Sequence, residues 1–312
     1  MFGFATLSLA VGLLQMFLDR GEQLDWFDSA EIQLEAAGCV VALAFFIAHT
    51  WTTTGVSFLN RSLLRDPNFV TGILFSFILG AILFATMALL PALLQGLLGF
   101  PVVHTGLLMA PRGIGTMLAM VLVGRMMHWM DTRAIMALGF GLCVLALYQM
   151  TGMTLDMDSD LIILSGFVQG MGLGFTFVPL SAATFATLAP KLRNDGTPIY
   201  SLLRNIGGSV GISVVTALLT ERTARAHVEL AADISHANPV LQVLPPAFDA
   251  ATPAGLAMLN IEVSRQAAMI GYVADFHAMM LITAAAMPLL LLIRRAPREA
   301  AAREGAAIDV GH

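Results

Sequence analysis

The chain has 312 residues, of which 57% are hydrophobic and only 12% are charged, and its mean hydropathy is +0.80. A soluble globular domain is closer to one-quarter charged, so this composition excludes an ordinary soluble fold. The formal net charge of −5 gives no reason to expect a nucleic-acid partner. We expect an all-α polytopic membrane protein whose surroundings are the lipid bilayer.

Eight apolar runs follow one another along the chain, each close to the roughly 20 residues that a membrane helix needs. The first run starts almost at Met1, with no basic flank before it and no small-residue cleavage site after it, so we expect no signal peptide. Its abrupt start leads us to expect that a fuller protein has something before it. The predicted spans are residues 2–18, 34–52, 69–90, 102–124, 134–153, 161–180, 200–220 and 273–293.

Two connections and the C-terminal tail carry most of the remaining polar sequence. The connection before the last span, residues 221–272, is interrupted by prolines, so we expect it to be helical at both ends and irregular in the middle. The connection before the seventh span is short and charged, and we predict a loop there. That loop contains Lys191, Arg193, Asp195 and Pro198. Residues 294–312 are predicted to be a basic, disordered cytoplasmic tail.

Arg112 stands near the middle of the fourth run, where His104 is the only other titratable residue between positions 102 and 124. A helix of this length is roughly 34 Å long, so Arg112 would lie near the bilayer midplane. A guanidinium in lipid there costs between about 3 and more than 10 kcal/mol, so it must face protein or water. It either bonds carbonyls of a broken neighbouring helix or belongs to a transport pathway, and its depth favours the pathway.

Small and polar residues recur at helical spacing on several spans. Gly72 and Gly80, and likewise Gly166, Gly170 and Gly174, predict faces that pack closely against other helices. Polar stripes run along the sixth and seventh spans, and a helix surrounded by lipid has no use for them. We predict that the polar residues and Arg112 share an aqueous cavity, the alternative being hydrogen bonds between helices. The cavity residues would be Arg112, Gln169, Asn205 and Ser209.

Two further charges lie in the later spans. Arg204 is predicted near a membrane end, with its side chain extending to the cytoplasm. Asp275 is predicted near the outer end of the last span. It is either a hydrated helix cap or a protonatable coupling group on the translocation pathway, and the sequence favours neither.

The basic residues are distributed unequally between the two sides of the eight predicted spans. Of the 16 Lys and Arg residues, eleven fall on one side and four on the other, with Arg112 between them. The eleven include Arg61, Arg204 and the four arginines of the tail. Because cytoplasmic loops are enriched in Lys and Arg, we predict that both termini face the cytoplasm.

Motifs of enzymes and metal sites do not occur in this sequence. There is no H-E-x-x-H, no G-x-x-x-x-G-K-[ST] and no G-x-S-x-G, and the seven histidines are scattered. Cys39 and Cys143 both lie in apolar runs without a C-x-x-C pattern, which is typical of packing residues. We therefore expect neither an enzyme nor a cofactor.

Several segments resemble the fourteen-span drug:proton antiporter branch of the major facilitator superfamily. They are LDRGEQLDWF at 18–27, LLPALLQGLLGF at 89–100, GLLMAPRGIGTMLAMVLVGR at 106–125, FVQGMGLGFTFVPLS at 167–181 and LLRNIGGSVGIS at 202–213. The resemblance implies that residues 1–60 are two linker helices and that residues 61–293 are a six-helix C-terminal transporter domain. It also implies that residues 221–272 are its extracytoplasmic loop.

One departure from the family is large. The N-terminal six-helix domain is absent, and with it the cytoplasmic G-x-x-x-D-R-x-G-R loop and the glycine-proline antiporter motif that the family links to proton coupling. Gly124, Arg125, Asp131 and Arg133 resemble a degenerate copy of that loop. We expect a truncated product, a fragment, or a chain that works with a partner supplying the other half.

The sequence therefore predicts an inner-membrane secondary transporter. It resembles a multidrug efflux protein that exchanges protons for drugs or other lipophilic small molecules. The alternative is a non-transporting membrane scaffold or regulatory subunit that retains the fold.

Overall fold

The computed structural model describes residues 2–52, 60, 62–232, 234, 245, 248–249 and 252–293. These residues form helices and turns, with no β-strand among them. Eight of the helices are long and apolar enough to cross a membrane, which confirms the all-α fold and the eight predicted spans. They are α1 (Phe2–Arg20), α2 (Ala30–Thr52), α3 (Pro67–Ala92), α4 (Val102–Met126), α5 (Thr132–Met150), α6 (Ser159–Phe185), α7 (Pro190–Ala232) and α8 (Pro253–Ala286).

Local capping fixes where α3 and α8 begin. The Asp66 carboxylate accepts a hydrogen bond from the Phe69 N–H at 2.9 Å, and Pro67 occupies the first turn of α3, where its missing N–H costs nothing. At the start of α8, the Thr252 hydroxyl accepts from the Gly255 N–H at 3.0 Å. Helix α8 therefore begins well before its apolar span, and the segment 221–272 is helical at both ends as predicted.

Helix α7 corrects the prediction of a loop before the seventh span. It has 43 residues, which is about 65 Å of helix and far more than a bilayer requires. Lys191, Arg193, Asp195 and Pro198 all lie within its first turns. The prediction was wrong because hydropathy measures only the apolar length of a helix, and polar turns can extend that helix beyond the membrane.

Glycines allow three helix pairs to pack closely: α3 with α7, α4 with α6, and α5 with α6. A Cβ added to Gly80 would lie 2.1 Å from the Arg204 carbonyl oxygen, and one added to Gly170 would lie 2.0 Å from the Arg112 carbonyl oxygen. No side chain fits at either distance. The predicted close-packing faces on α3 and α6 are therefore confirmed.

Helices α1 and α2 form a hairpin whose other sides are mostly exposed and apolar. At the connection of the hairpin, Arg20 bonds Glu31 at 2.5 Å and Glu35 at 3.1 Å. On the side facing the bundle, the Gln15 amide donates to the Ser209 hydroxyl of α7 at 3.1 Å. One polar contact therefore connects the hairpin to the six helices that follow.

The division into linker helices at 1–60 and a transporter domain at 61–293 stays a prediction. Two other predictions concern residues outside the described part of the chain. These are the position of Arg61 and the basic tail at 294–312, so the count of charges on either side of the membrane remains a sequence argument.

Candidate functional site: a cavity beside Arg112

A cavity of about 780 Å³ lies between α3, α4 and α6. Leu83 and Met87 of α3 and Leu173 and Phe177 of α6 form two of its walls, and α4 forms the third. The α4 wall follows one face of that helix through four successive turns. Its lining residues are Gly106, Met109, Ala110, Arg112, Gly113, Thr116, Met117, Met120 and Val121.

Two glycines of α4 make this cavity wide. An added Cβ at Gly106 or at Gly113 would meet no atom within 4 Å. Met117, one turn further along, is 62% exposed on the same open side. The cavity is therefore an apolar groove along α4 rather than a closed void.

Arg112 is the only charged residue among those that line the cavity, and it is 7% exposed. Its Nη2 donates to the Thr86 hydroxyl at 2.9 Å and to the Leu83 carbonyl at 3.4 Å, both on α3. The Thr86 hydroxyl in turn donates to the Ile82 carbonyl at 2.8 Å, so it offers Arg112 a lone pair. Within the described residues, the buried Nη1 has no hydrogen-bond partner and Arg112 has no acidic partner.

The backbone of α4 at Arg112 is held firmly by α6. The Thr116 hydroxyl donates to the Arg112 carbonyl at 2.9 Å and lies 3.1 Å from the Gly170 carbonyl. Because Gly170 has no side chain, α6 approaches this turn as closely as backbone atoms allow. The guanidinium therefore extends from a fixed turn toward α3.

The other predicted cavity residues lie elsewhere. Gln169 is completely buried and does not line the cavity, and its amide has no hydrogen-bond partner in the described part of the chain. Asn205 is exposed on α7. Ser209 accepts the hydrogen bond from Gln15 of α1. The structure thus brings Arg112 to the cavity wall, but not Gln169, Asn205 or Ser209.

Arg204 lies deeper in the bundle than its sequence position indicated. Its carbonyl packs against Gly80, at the middle of α3, and its guanidinium carbon is 5.9 Å from the centre of the Phe177 ring. Phe177 lines the cavity on its other side. The prediction of a membrane-end arginine was therefore wrong. The signal that could have found it is the pair Gly207–Gly208, which marks the tightly packed face of α7 beside Arg204.

Asp275 pairs with a residue that the sequence did not connect to it. Its side chain is completely buried between α7 and α8, and its Oδ1 accepts from Nη1 of Arg222 at 3.1 Å. Oδ2 has no hydrogen-bond partner among the described residues. Asp275 does not line the cavity, so a cap in contact with water is wrong. A buried ion pair joins the two helices instead.

The four motif-like residues cluster at the connection between α4 and α5. Gly124 and Arg125 are exposed in the last turn of α4. Asp131 caps α5 by accepting from the Arg133 N–H at 3.2 Å. The structure therefore gives Asp131 a helix-capping role, while a role in a transport cycle stays a prediction. In the described residues, no group of three His, Cys, Asp or Glu side chains is arranged to hold a metal.

Comparisons with known proteins agree with this geometry. The sequence profile described as Major Facilitator Superfamily matches residues 1–212. Multidrug export protein EmrB of Escherichia coli (strain K12) is 31% identical over 245 residues, which cover 78% of this chain and 47% of that protein. Fatty acid resistance protein FarB of Neisseria gonorrhoeae is 32% identical over 234 residues, which cover 75% and 46% respectively. The chain spans about half the length of these relatives.

A solved structure has a similar fold. It is the crystal structure of a bacterial homologue of the human lysosomal transporter Spinster in an inward-facing, occupied conformation, with a TM-score of 0.56 and 14% identity. The match covers 86% of this chain and 58% of that one. At this identity the similarity concerns the fold alone.

Proposed function

Because the chain belongs to the Major Facilitator Superfamily, on its drug:proton antiporter branch, we propose that it is the C-terminal half of a secondary transporter. It would export drugs or other lipophilic small molecules in exchange for protons. The family predicted from the sequence is confirmed, and it is a family of membrane transporters rather than of enzymes. The chain is accordingly a multi-pass membrane protein, and we propose that both termini face the cytoplasm of a bacterial inner membrane.

The observation that best supports an export function is the groove beside Arg112. It places one charged group in an apolar wall of a membrane bundle, and its volume falls in the range of roughly 300–1,000 Å³ that is typical of ligand sites. Proteins of this superfamily bind substrate near the midplane and rock one six-helix half against the other. A groove that is open along α4 has the shape of one half of such a site.

The second half of the site would come from another six-helix unit. The chain spans about half of its relatives' length, and we propose that an N-terminal half, from the same gene or a separate chain, covers the open face of α4. Substrate and protons would then pass between the two halves. The exposed side chain of Met117 would become part of a closed cavity.

A fusion experiment tests this proposal. The chain is joined to the N-terminal six-helix half of E. coli EmrB and expressed in a strain without its own efflux pumps. Everted membrane vesicles are given a pH gradient and offered a lipophilic cation, a neutral compound and an anion. We expect at least one compound to accumulate in the vesicles and to discharge the gradient as it does so.

The controls separate transport from mere assembly. Each half expressed alone should accumulate nothing, and an ionophore that collapses the gradient should stop accumulation. If a well-folded fusion moves none of the three compounds, the transporter proposal fails. A non-transporting scaffold would then be the better account of the fold.

A further inference from the structure

The groove beside Arg112 has an unbalanced positive charge. The guanidinium has five N–H donors, and in the described residues its two acceptors, the Thr86 hydroxyl and the Leu83 carbonyl, are both neutral and both bonded to Nη2. Neutral acceptors satisfy hydrogen bonds without cancelling charge. The buried carboxylate of Asp275 is bonded to Arg222 and lies away from the cavity. A charge at this depth calls for an anionic partner.

The rest of the groove is apolar and adaptable. Met87 on α3 and three methionines on α4 line it, and unbranched thioether side chains adjust to ligands of different shape. The other hydroxyl in the wall, on Thr116, already donates to the Arg112 carbonyl. A complementary ligand therefore has one charged end and an apolar body.

The aromatic wall argues against a cationic ligand. Phe177 is the aromatic residue that lines the groove, and aromatic faces are the usual partners of lipophilic cations. Here the guanidinium of Arg204 already lies over this ring, 5.9 Å from its centre. Arg204 also adds a second positive charge near the groove. Both effects disfavour a cation and favour an anion.

We propose that this groove binds lipophilic monoanions, with the anionic head on Arg112 and the apolar body along the methionines of α3 and α4. This inference rests on the proposed export function and names the class of its substrate. Nη1 is covered in this conformation, so the guanidinium must turn toward the groove to meet the head group. Its bond to Thr86 keeps it at the wall between binding events.

Three probes with the same tail test the proposal: decanoate, decanol and decyltrimethylammonium. The full chain is purified, placed in lipid nanodiscs, and titrated with radiolabelled decanoate against the two others as competitors. We expect decanoate to bind at least tenfold more tightly than decanol, since both share the apolar contacts and only decanoate has the charge. Decyltrimethylammonium should compete more weakly than decanol.

Variants assign the charge to Arg112. Arg112→Gln should lower decanoate affinity to that of decanol, while Arg112→Lys should retain part of it because a point charge remains without the forked donors. The matched control is Arg225→Gln, which removes an equal charge from an exposed pair with Glu221 on α7. Decanoate binding should be unchanged in that variant.

The outcomes that overturn the inference are distinct from failure of the transporter proposal. Equal affinity for decanoate and decanol in the unaltered chain contradicts the anion site, even if Arg112→Gln does not fold. Unchanged decanoate binding in a folded Arg112→Gln protein contradicts it as well. If the fusion exports the cation or the neutral compound while the chain binds no decanoate, the export function stands and the anion site is wrong.

Discussion

The two faces of α4 use glycine for opposite purposes. On one face, Gly115 lies against α6, where an added Cβ would be 2.4 Å from the Phe167 carbonyl oxygen. On the other face, Gly113 opens on the groove, and an added Cβ would meet no atom within 4 Å. Two residues along the same helix therefore separate a seam that fixes the fold from a surface that is free to bind. Arg112 lies at the boundary between them.

The largest effect is expected from removing the charge at this boundary. In the fusion with an N-terminal half, Arg112→Ala should reduce proton-linked export to background while membrane abundance is unchanged, because the variant loses a buried charge contact worth about 2–5 kcal/mol. Export is measured in everted vesicles and abundance by immunoblot. Arg225→Ala is the control and should export normally. Normal export by Arg112→Ala would remove this residue from the pathway.

The glycines test the comparison itself. Gly115→Ala should destabilise the chain by about 1–3 kcal/mol or more, because the backbone of α6 would have to move. Gly113→Ala should be neutral, or stabilising by up to about 1 kcal/mol through better helix propensity. Thermal unfolding of the purified variants in one detergent measures both. Equal loss in the two variants would mean that the groove face is packed as tightly as the seam.

A smaller effect is expected from the residue that positions Arg112. Thr86→Val keeps the shape but removes the hydroxyl that accepts from Nη2, which should cost about 1–3 kcal/mol in stability and lower export severalfold. Thr105→Val is the matched control, since Thr105 is also buried and its hydroxyl has no partner in the described residues. That variant should be neutral or slightly stabilised. Indistinguishable variants would show that Thr86 does not hold the guanidinium.

The smallest effect should depend on the size of the compound. Gly113→Leu places a side chain in open space, so it should leave folding intact and reduce export of bulky compounds more than of small ones. Relative export rates for a bulky and a small lipophilic anion provide the measurement. A uniform change for both would indicate that the groove does not contact the compounds.

Much of the fold could be predicted from sequence because membrane spans obey a strong constraint. Every backbone polar group in lipid must be bonded within the segment, so apolar length alone locates eight helices. Arg112 could be placed at depth for the same reason, since it interrupts one such run near its middle. Gly170 and Gly80 were recognisable from their spacing on one helix face.

What could not be predicted depends on contacts between helices. Hydropathy has no signal for the start of α7 at Pro190, so the depth of Arg204 was misjudged by the same error. A polar stripe indicates that a face avoids lipid, but not whether water or a neighbouring helix covers it. Gln169 is buried inside the bundle and Ser209 meets Gln15 of α1, so the sequence alone could not assign either to a cavity.

The most direct test of the account is whether the groove is wet when the second half is present. Met117→Cys is introduced into the fusion after Cys39 and Cys143 are replaced by serine and alanine, and the protein is treated with a charged, membrane-impermeant thiol reagent. We predict that Cys at this position is labelled and that decanoate slows the labelling. Labelling by a lipid-soluble reagent alone, with no effect of decanoate, would place this face of α4 among lipid tails and contradict the account.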